Sequence, residues 1–194
     1  GRFPARIPVG LEEPIYGRKE LGDRAKTIGI PHEHPTLSSL IKGAGYETAL
    51  IGKWHLGYLP DFGPMRYGFD EFFGIMSGAG DYFSHKDPSG APDLFDGEVP
   101  VERVGYTTDL LTERAVEFVR RPRKKPFYLS LHYTSPHWPW EGPDDKAVSD
   151  AIQYGPAGFR AGGSIKVYGE MVKSLDRGIG QVLAALRSAG LDGN

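Results

Sequence analysis

The segment that most constrains this chain is residues 35–55. Leu37, Leu40, Ile41 and Ala44 fall on one face of a short helix, and Gly45 ends it. A short apolar run over 46–51 follows at once and suits a buried strand. Together they form a helix-to-strand unit. Gly52 then lets the backbone turn or approach something closely. Lys53 and His55 come next, at i and i+2. If the chain is still extended there, both side chains leave on the same face, because strand side chains alternate. An ammonium and an imidazole on one face, at the end of a buried strand, suit an anion site with a proton-transfer group beside it. Spacing alone equally allows an exposed edge with two unrelated polar residues.

The remaining periodic segments extend the same alternation. Residues 69–76 read as a second apolar strand. A helix runs from Thr107 or Thr108, as cap, to about Arg120, with Leu111, Ala115, Phe118 and Val119 buried. Residues 126–133 read as a clear buried strand. The longest helix spans 164–189, capped by Ser164 and closed by Gly190, with a stripe of Val167, Met171, Val172, Leu175, Ile179, Val182, Leu183 and Leu186. Helix and strand alternate, which predicts an α/β fold: a three-layer sandwich with a mostly parallel central sheet flanked by helices. One domain is expected over residues 1–194. Gly and Pro, 27 and 16 of the 194 residues, are about twice their usual share of roughly 12%. They place long loops at about 1–30, 77–105 and 140–163. Asp81, His85, Asp87, Asp93 and Asp96 lie in the second loop, which is either solvated or faces substrate.

Composition removes several classes. A net charge of −2 leaves no basic footprint for nucleic acid. No apolar run approaches the length of a membrane helix. With no cysteine there is no disulfide, thiolate metal site or cysteine nucleophile within these residues. His32 and His34 flank Glu33 but lack a third ligand nearby, so they read as solvated loop residues. His137 is different. It follows the strand at 126–133 and sits between Pro136 and Pro139, which fix the local backbone. A histidine held where a strand ends is well placed for chemistry, since crevices of open α/β sheets lie there. A Pro/aromatic packing corner is the other reading. His132, inside the strand, reads as a satisfied core or edge histidine.

Four stretches, in order, carry a family resemblance. Gly45-Tyr46-Glu47-Thr48-Ala49-Leu50-Ile51-Gly52-Lys53-Trp54-His55-Leu56-Gly57 resembles the second signature of the sulfatases, arylsulfatase-like members of the alkaline phosphatase superfamily. Gly1-Arg2-Phe3-Pro4-Ala5-Arg6 resembles the end of the first signature. Ser135-Pro136-His137-Trp138-Pro139 resembles the family's His-x-Pro element, and residues 168–183 resemble the helix before its last metal-binding strand. The resemblance implies an alkaline phosphatase-like fold and hydrolysis of sulfate esters by a formylglycine nucleophile. It also implies a divalent cation, commonly calcium. By the same resemblance Lys53 binds sulfate, His55 helps remove a proton when sulfate is expelled, and His137 contacts sulfate and protonates the departing alcohol. These are the catalytic and substrate-binding candidates, expected to converge on one pocket for a tetrahedral oxyanion.

The same resemblance places the formylglycine, the carboxylates and the Asp-Asn pair that hold the cation outside residues 1–194. None of the matched positions offers a metal ligand of the oxygen type that hard cations need. The chain is therefore expected to be an internal piece of a catalytic domain, inactive alone. Its expected partner is a small-molecule or glycan sulfate ester, with no nucleic acid and no membrane. Export or a lysosomal location is the family's implication. Two alternatives remain: a phosphodiester or phosphonate ester hydrolase of the same superfamily, and a sulfated-glycan binder without catalysis.

Overall fold

The computed structural model describes Arg6 and residues 28–193. The expected loop over 1–30 and the match at 1–6 therefore lie, apart from Arg6 and 28–30, outside the described residues. The elements are α1 (Leu37–Gly43), β1 (Glu47–Gly52), a 3-10 turn (Pro64–Tyr67), β2 (Glu71–Ile75), β3 (Leu94–Asp96), β4 (Val99–Pro100), α2 (Thr107–Arg120), β5 (Phe127–His132), α3 (Lys146–Asp150), α4 (Pro156–Phe159) and α5 (Ile165–Ser188). They fall into two compact units. One comprises Gly1–Gly78, Asp93–Val101 and Lys125–His132, the other Ala79–Pro92, Glu102–Lys124 and Tyr133–Asn194.

The first unit holds a five-stranded mixed sheet, ordered β4-β3-β2-β1-β5. β1 pairs in parallel with β2 and β5, as the alternation predicts. β3 and β4 add an antiparallel edge beside β2. They lie within the expected loop 77–105 and are too short for periodicity to reveal. β1 is buried along almost its whole length, whereas β5 is only half-buried, because a neighbour covers it on one side alone among the described strands. Leu50, Trp54, Tyr58, Tyr67, Phe69, Phe72 and Met76 form the unit's aromatic-rich core.

α1 forms where predicted. Thr36 caps it reciprocally with Ser39, and the Thr36 and Ser38 hydroxyls both donate to the Tyr67 carbonyl at 2.6 Å. Its apolar face is not buried: Leu37 and Leu40 are 63% and 62% exposed, and only Ser38 is buried. The helix is held by its polar cap rather than by its leucines.

In the second unit α2 packs on α5. α2 buries the four expected residues together with Thr107, Thr108 and Thr112, and its N-cap is Tyr106 rather than a threonine. Ser164 caps α5 by accepting from the Val167 N–H at 3.2 Å. The buried face of α5 differs from the predicted stripe. It runs Met171, Ser174, Gly178, Val182 and Ala185, while Val172, Ile179 and Leu183 are exposed. Small residues win that face because they permit close approach: a Cβ on Gly178 would lie 2.9 Å from the Tyr133 hydroxyl and collide with Thr112 Oγ1. The expected loop 140–163 carries α3 and α4.

Candidate active site

The Lys53–His55 segment is built by the carboxyl ends of three parallel strands. A Cβ on Gly52, where φ is 121°, would run into the His132 carbonyl of β5. Only glycine fits there. Beyond Gly52 the backbone bonds first to β5 and then twice to the end of β2. Lys53 N–H donates to His132 O at 2.9 Å, Trp54 N–H to Ile75 O at 2.9 Å, and His55 N–H to Met76 O at 3.0 Å. The segment is thus clamped between the ends of β5 and β2.

Trp54 is the anchor. It is buried, donates its Nε1–H to Phe62 O at 2.7 Å, and packs against Tyr67 and Phe69. Its neighbours Lys53 and His55 are half-buried on either side of it. The expected alternation thus extends through Trp54. It stops at His55, whose φ of 56° lies in the left-handed region, uncommon for a non-glycine residue and worth of order 1–3 kcal/mol of strain. The His55 ring rests on Gly78, where a Cβ would lie 2.5 Å from Nε2 and 2.9 Å from Nδ1.

Two further side chains fix this geometry. His132 Nδ1 lies 3.1 Å from Lys53 O and Nε2 lies 2.7 Å from Ser130 Oγ. A carbonyl only accepts, so Nδ1 carries the proton and Ser130 donates to Nε2. His132 is the satisfied edge histidine the sequence suggests, and it also holds the Lys53 peptide. Asp93, buried, accepts from Met76 N–H at 3.2 Å, from Ser77 N–H at 3.1 Å, and from the Ser77 hydroxyl. That pins the strand end against which His55 hydrogen-bonds. Nothing in the spacing of Gly78 or Asp93 announces these roles.

His137 belongs to the second unit. Its N–H donates to Thr134 O at 3.0 Å, and the Tyr82 hydroxyl donates to its carbonyl at 3.1 Å. Ser135 Oγ donates to Met171 O of α5 at 3.2 Å. The exposed His137 ring donates from Nδ1 to Trp138 O at 3.0 Å, so the lone pair of the neutral ring lies on Nε2. Burial first, then Tyr106 and Glu141, push the Tyr82 phenol far above its ordinary range, so it stays a neutral donor. Tyr82 is core, and Trp140 packs edge-on against Tyr168. Trp138 is 39% exposed, stacks on Trp140 and carries the Arg160 guanidinium over its ring at 5.5 Å.

Three acids of residues 77–100 are not solvated, whereas Asp96 is half-buried and Glu98 exposed. Asp81, Asp87 and Asp93 are all buried, each accepting several backbone N–H groups. They staple a segment poor in ladder hydrogen bonds. Among the described residues no group of three or more His, Cys, Asp or Glu side chains could hold a metal ion. The Lys53–His55 segment supplies a cation and an imidazole, which does not fit a hard cation's demand for several oxygens.

A family model described as Sulfatase matches residues 1–194. The chain belongs to the sulfatase family. N-acetylgalactosamine-6-sulfatase of Mus musculus is 30% identical over 182 residues, covering 86% of this chain and 32% of that protein. N-acetylglucosamine-6-O-sulfatase of Bacteroides thetaiotaomicron is 39% identical over 123 residues, 61% of this chain and 19% of that protein. The crystal structure of Ps i-CgsB in complex with k-i-k-neocarrahexaose superposes with a TM-score of 0.69 at 29% identity, covering 84% of this chain and 39% of that one. This sulfatase-family chain thus has the expected α/β fold, and it spans about a third of the length of the curated relatives it matches.

Proposed function

We propose that the whole protein hydrolyses sulfate esters, and that residues 1–194 contribute Lys53, His55 and His137 to the reaction. The observation that supports this most directly is the clamped Gly52-Lys53-Trp54-His55 segment in a chain of the sulfatase family. Lys53 supplies a point cation for the nonbridging sulfate oxygens, whose charge grows as the ester S–O bond breaks. His137, protonated on Nε2, gives that proton to the departing alkoxide, and Nδ1 stays committed to Trp138 O. His55 takes up a proton when sulfate leaves. The divalent cation, calcium by resemblance, and the formylglycine are held by other residues. When bound, the cation stabilises anionic oxygen.

The names of relatives support a substrate class. Two are named for the 6-sulfate of an N-acetylhexosamine, so a hexosamine 6-O-sulfate within a glycan is the proposed ester. The site of action is outside the cytosol by the same family argument. No helix among the described residues is long and apolar enough to cross a membrane. The test is turnover by the whole protein of an aryl sulfate and of N-acetylhexosamine 6-sulfates, beside a phosphodiester and a phosphonate ester. Sulfate release is expected, and Lys53→Ala should lower kcat/KM by roughly 10²–10³. Faster turnover of the phosphorus esters, or a Lys53→Ala protein as active as wild type, overturns the reading.

A further inference from the structure

Asp81 and Glu141 are the most deeply buried carboxyl groups of the second unit, 1% and 0% exposed. Their hydrogen bonds are complementary. Asp81 Oδ1 accepts from Phe83 N–H at 3.0 Å, Ser84 N–H at 2.6 Å and Ser149 Oγ at 2.8 Å. Glu141 Oε2 accepts from Tyr82 N–H at 3.1 Å. Asp81 Oδ2 and Glu141 Oε1 are buried and take no donor, while the two carboxyl groups lie within hydrogen-bonding reach of each other. Two carboxylates have no proton for such a bond, and two orphaned anionic oxygens side by side in a dry interior are untenable.

We propose that Asp81 and Glu141 share one proton between Oδ2 and Oε1, and that this acid–carboxylate pair is the fastener of the turn that presents His137. Glu141 follows the turn directly, and three bonds tie it there. Tyr82 joins it by N–H and holds the His137 carbonyl by its hydroxyl, and the Tyr106 hydroxyl donates to Glu141 O at 2.8 Å. Asp81, the residue before Tyr82, anchors the other side of the pair. Glu141 is a positioning residue: it acts through Tyr82 on His137 and touches no substrate. The importance of this for turnover rests on the role proposed for His137, but the fastening does not.

The charges around the pair decide its behaviour. Asp81, His85 and Tyr82 face it from residues 79–92, Tyr106 from the start of α2, and Asp145 from the start of α3; Glu170 of α5 lies beside Gly142 and is paired with Lys173. Burial holds His85 below its ordinary pKa, so it is neutral, and its Nε2–H donates to Gly105 O. Among the described residues no lysine or arginine pairs with either carboxyl. Burial, then Asp81, push Glu141 from 4.5 to about 8. Burial also pushes Asp81 up, but the Ser84, Ser149 and Phe83 donors outweigh it and hold Asp81 below 3.8, so Glu141 keeps the proton. A raised folded pKa stabilises fully below the unfolded value and loses that stability as pH rises through about 8.

Glu141→Gln is the decisive variant, because its amide keeps an acceptor for Tyr82 N–H and a fixed donor for Asp81. The 194-residue chain is melted from about pH 4.5 to about pH 9.5. Wild type is expected to lose roughly 5 °C or more as pH rises from the low end to about 8 and to level off above it, and Glu141→Gln to stay level and match wild type at the low end. Relative to base-catalysed intrinsic exchange at each pH, amides of residues 134–141 should lose at least roughly tenfold in deuterium-exchange protection at the high end in wild type only. If the variant does not fold, difference infrared spectra of wild type serve instead: a protonated carboxylic acid band must be present at about pH 6 and vanish at the upper end. Equal pH dependence in both proteins, a variant weakened at low pH, or no acid band overturns the pair. A confirmed pair in a protein that releases no sulfate leaves the fastener standing and defeats only the functional reading.

Discussion

Gly78→Ala tests whether His55 is held in one place for a reason. An added Cβ would lie 2.5 Å from Nε2 and 2.9 Å from Nδ1, whereas carbon packs at about 3.5–4.0 Å. The ring must therefore retreat by about 1 Å. It has little freedom, because its own N–H is bonded to Met76 O and the preceding Trp54 is locked in the core. Overpacking of this kind costs roughly 1–3 kcal/mol, or about 2–12 °C in the melting temperature of a chain this size. A misplacement near 1 Å in a group that moves a proton costs on the order of 10² in rate. The assay is calorimetric melting of the 194-residue chain beside sulfate release by the whole protein, with Gly43→Ala, which meets nothing within 4 Å, as control. In a His55→Ala background the new methyl faces the vacated space, so the penalty should largely disappear. A Gly78→Ala penalty that persists without the imidazole refutes the packing argument. A melting shift with unchanged kcat/KM refutes the catalytic one.

Two other substitutions separate backbone from packing effects. Gly178→Ala should destabilise by roughly 1–3 kcal/mol, since its methyl meets Thr112 and Tyr133; Gly180→Ala, exposed on the same helix with nothing within 4 Å, should stabilise by up to about 1 kcal/mol. Thermal melting of both checks the pair, and a shift of the same sign in each contradicts the account. Asp93→Asn turns an amide N–H2 toward the Met76 and Ser77 donors, for an expected loss of about 1–3 kcal/mol. Urea unfolding should show a lower midpoint with an unchanged slope.

Much of the architecture was legible because it is local. Three apolar runs, two amphipathic helices and their Ser164 and Gly190 boundaries depend on residues a few positions apart, and all formed. The β3–β4 hairpin was not legible, because two or three residues carry no period. Helix faces were only partly legible. Leucine at 37 and 40 and valine at 172 promise burial, yet smaller neighbours won the contacts. Lys53, His55 and His137 stand out in the sequence as candidates, whereas Gly78, His132 and Asp93 as supports of the Lys53–His55 segment do not.

Sequence alone determined the α/β alternation, the glycine-terminated strand before Lys53, and the membership of the sulfatase family. Only tertiary structure decided what became of the polar residues. An aspartate in a glycine-rich stretch is solvated or buried according to whether N–H donors and a second carboxyl arrive from distant parts of the chain. Asp81 meets Ser149 and Glu141 across more than fifty residues of sequence. Periodicity reports neighbours within a turn or a pleat, and long-range desolvation has no local signature.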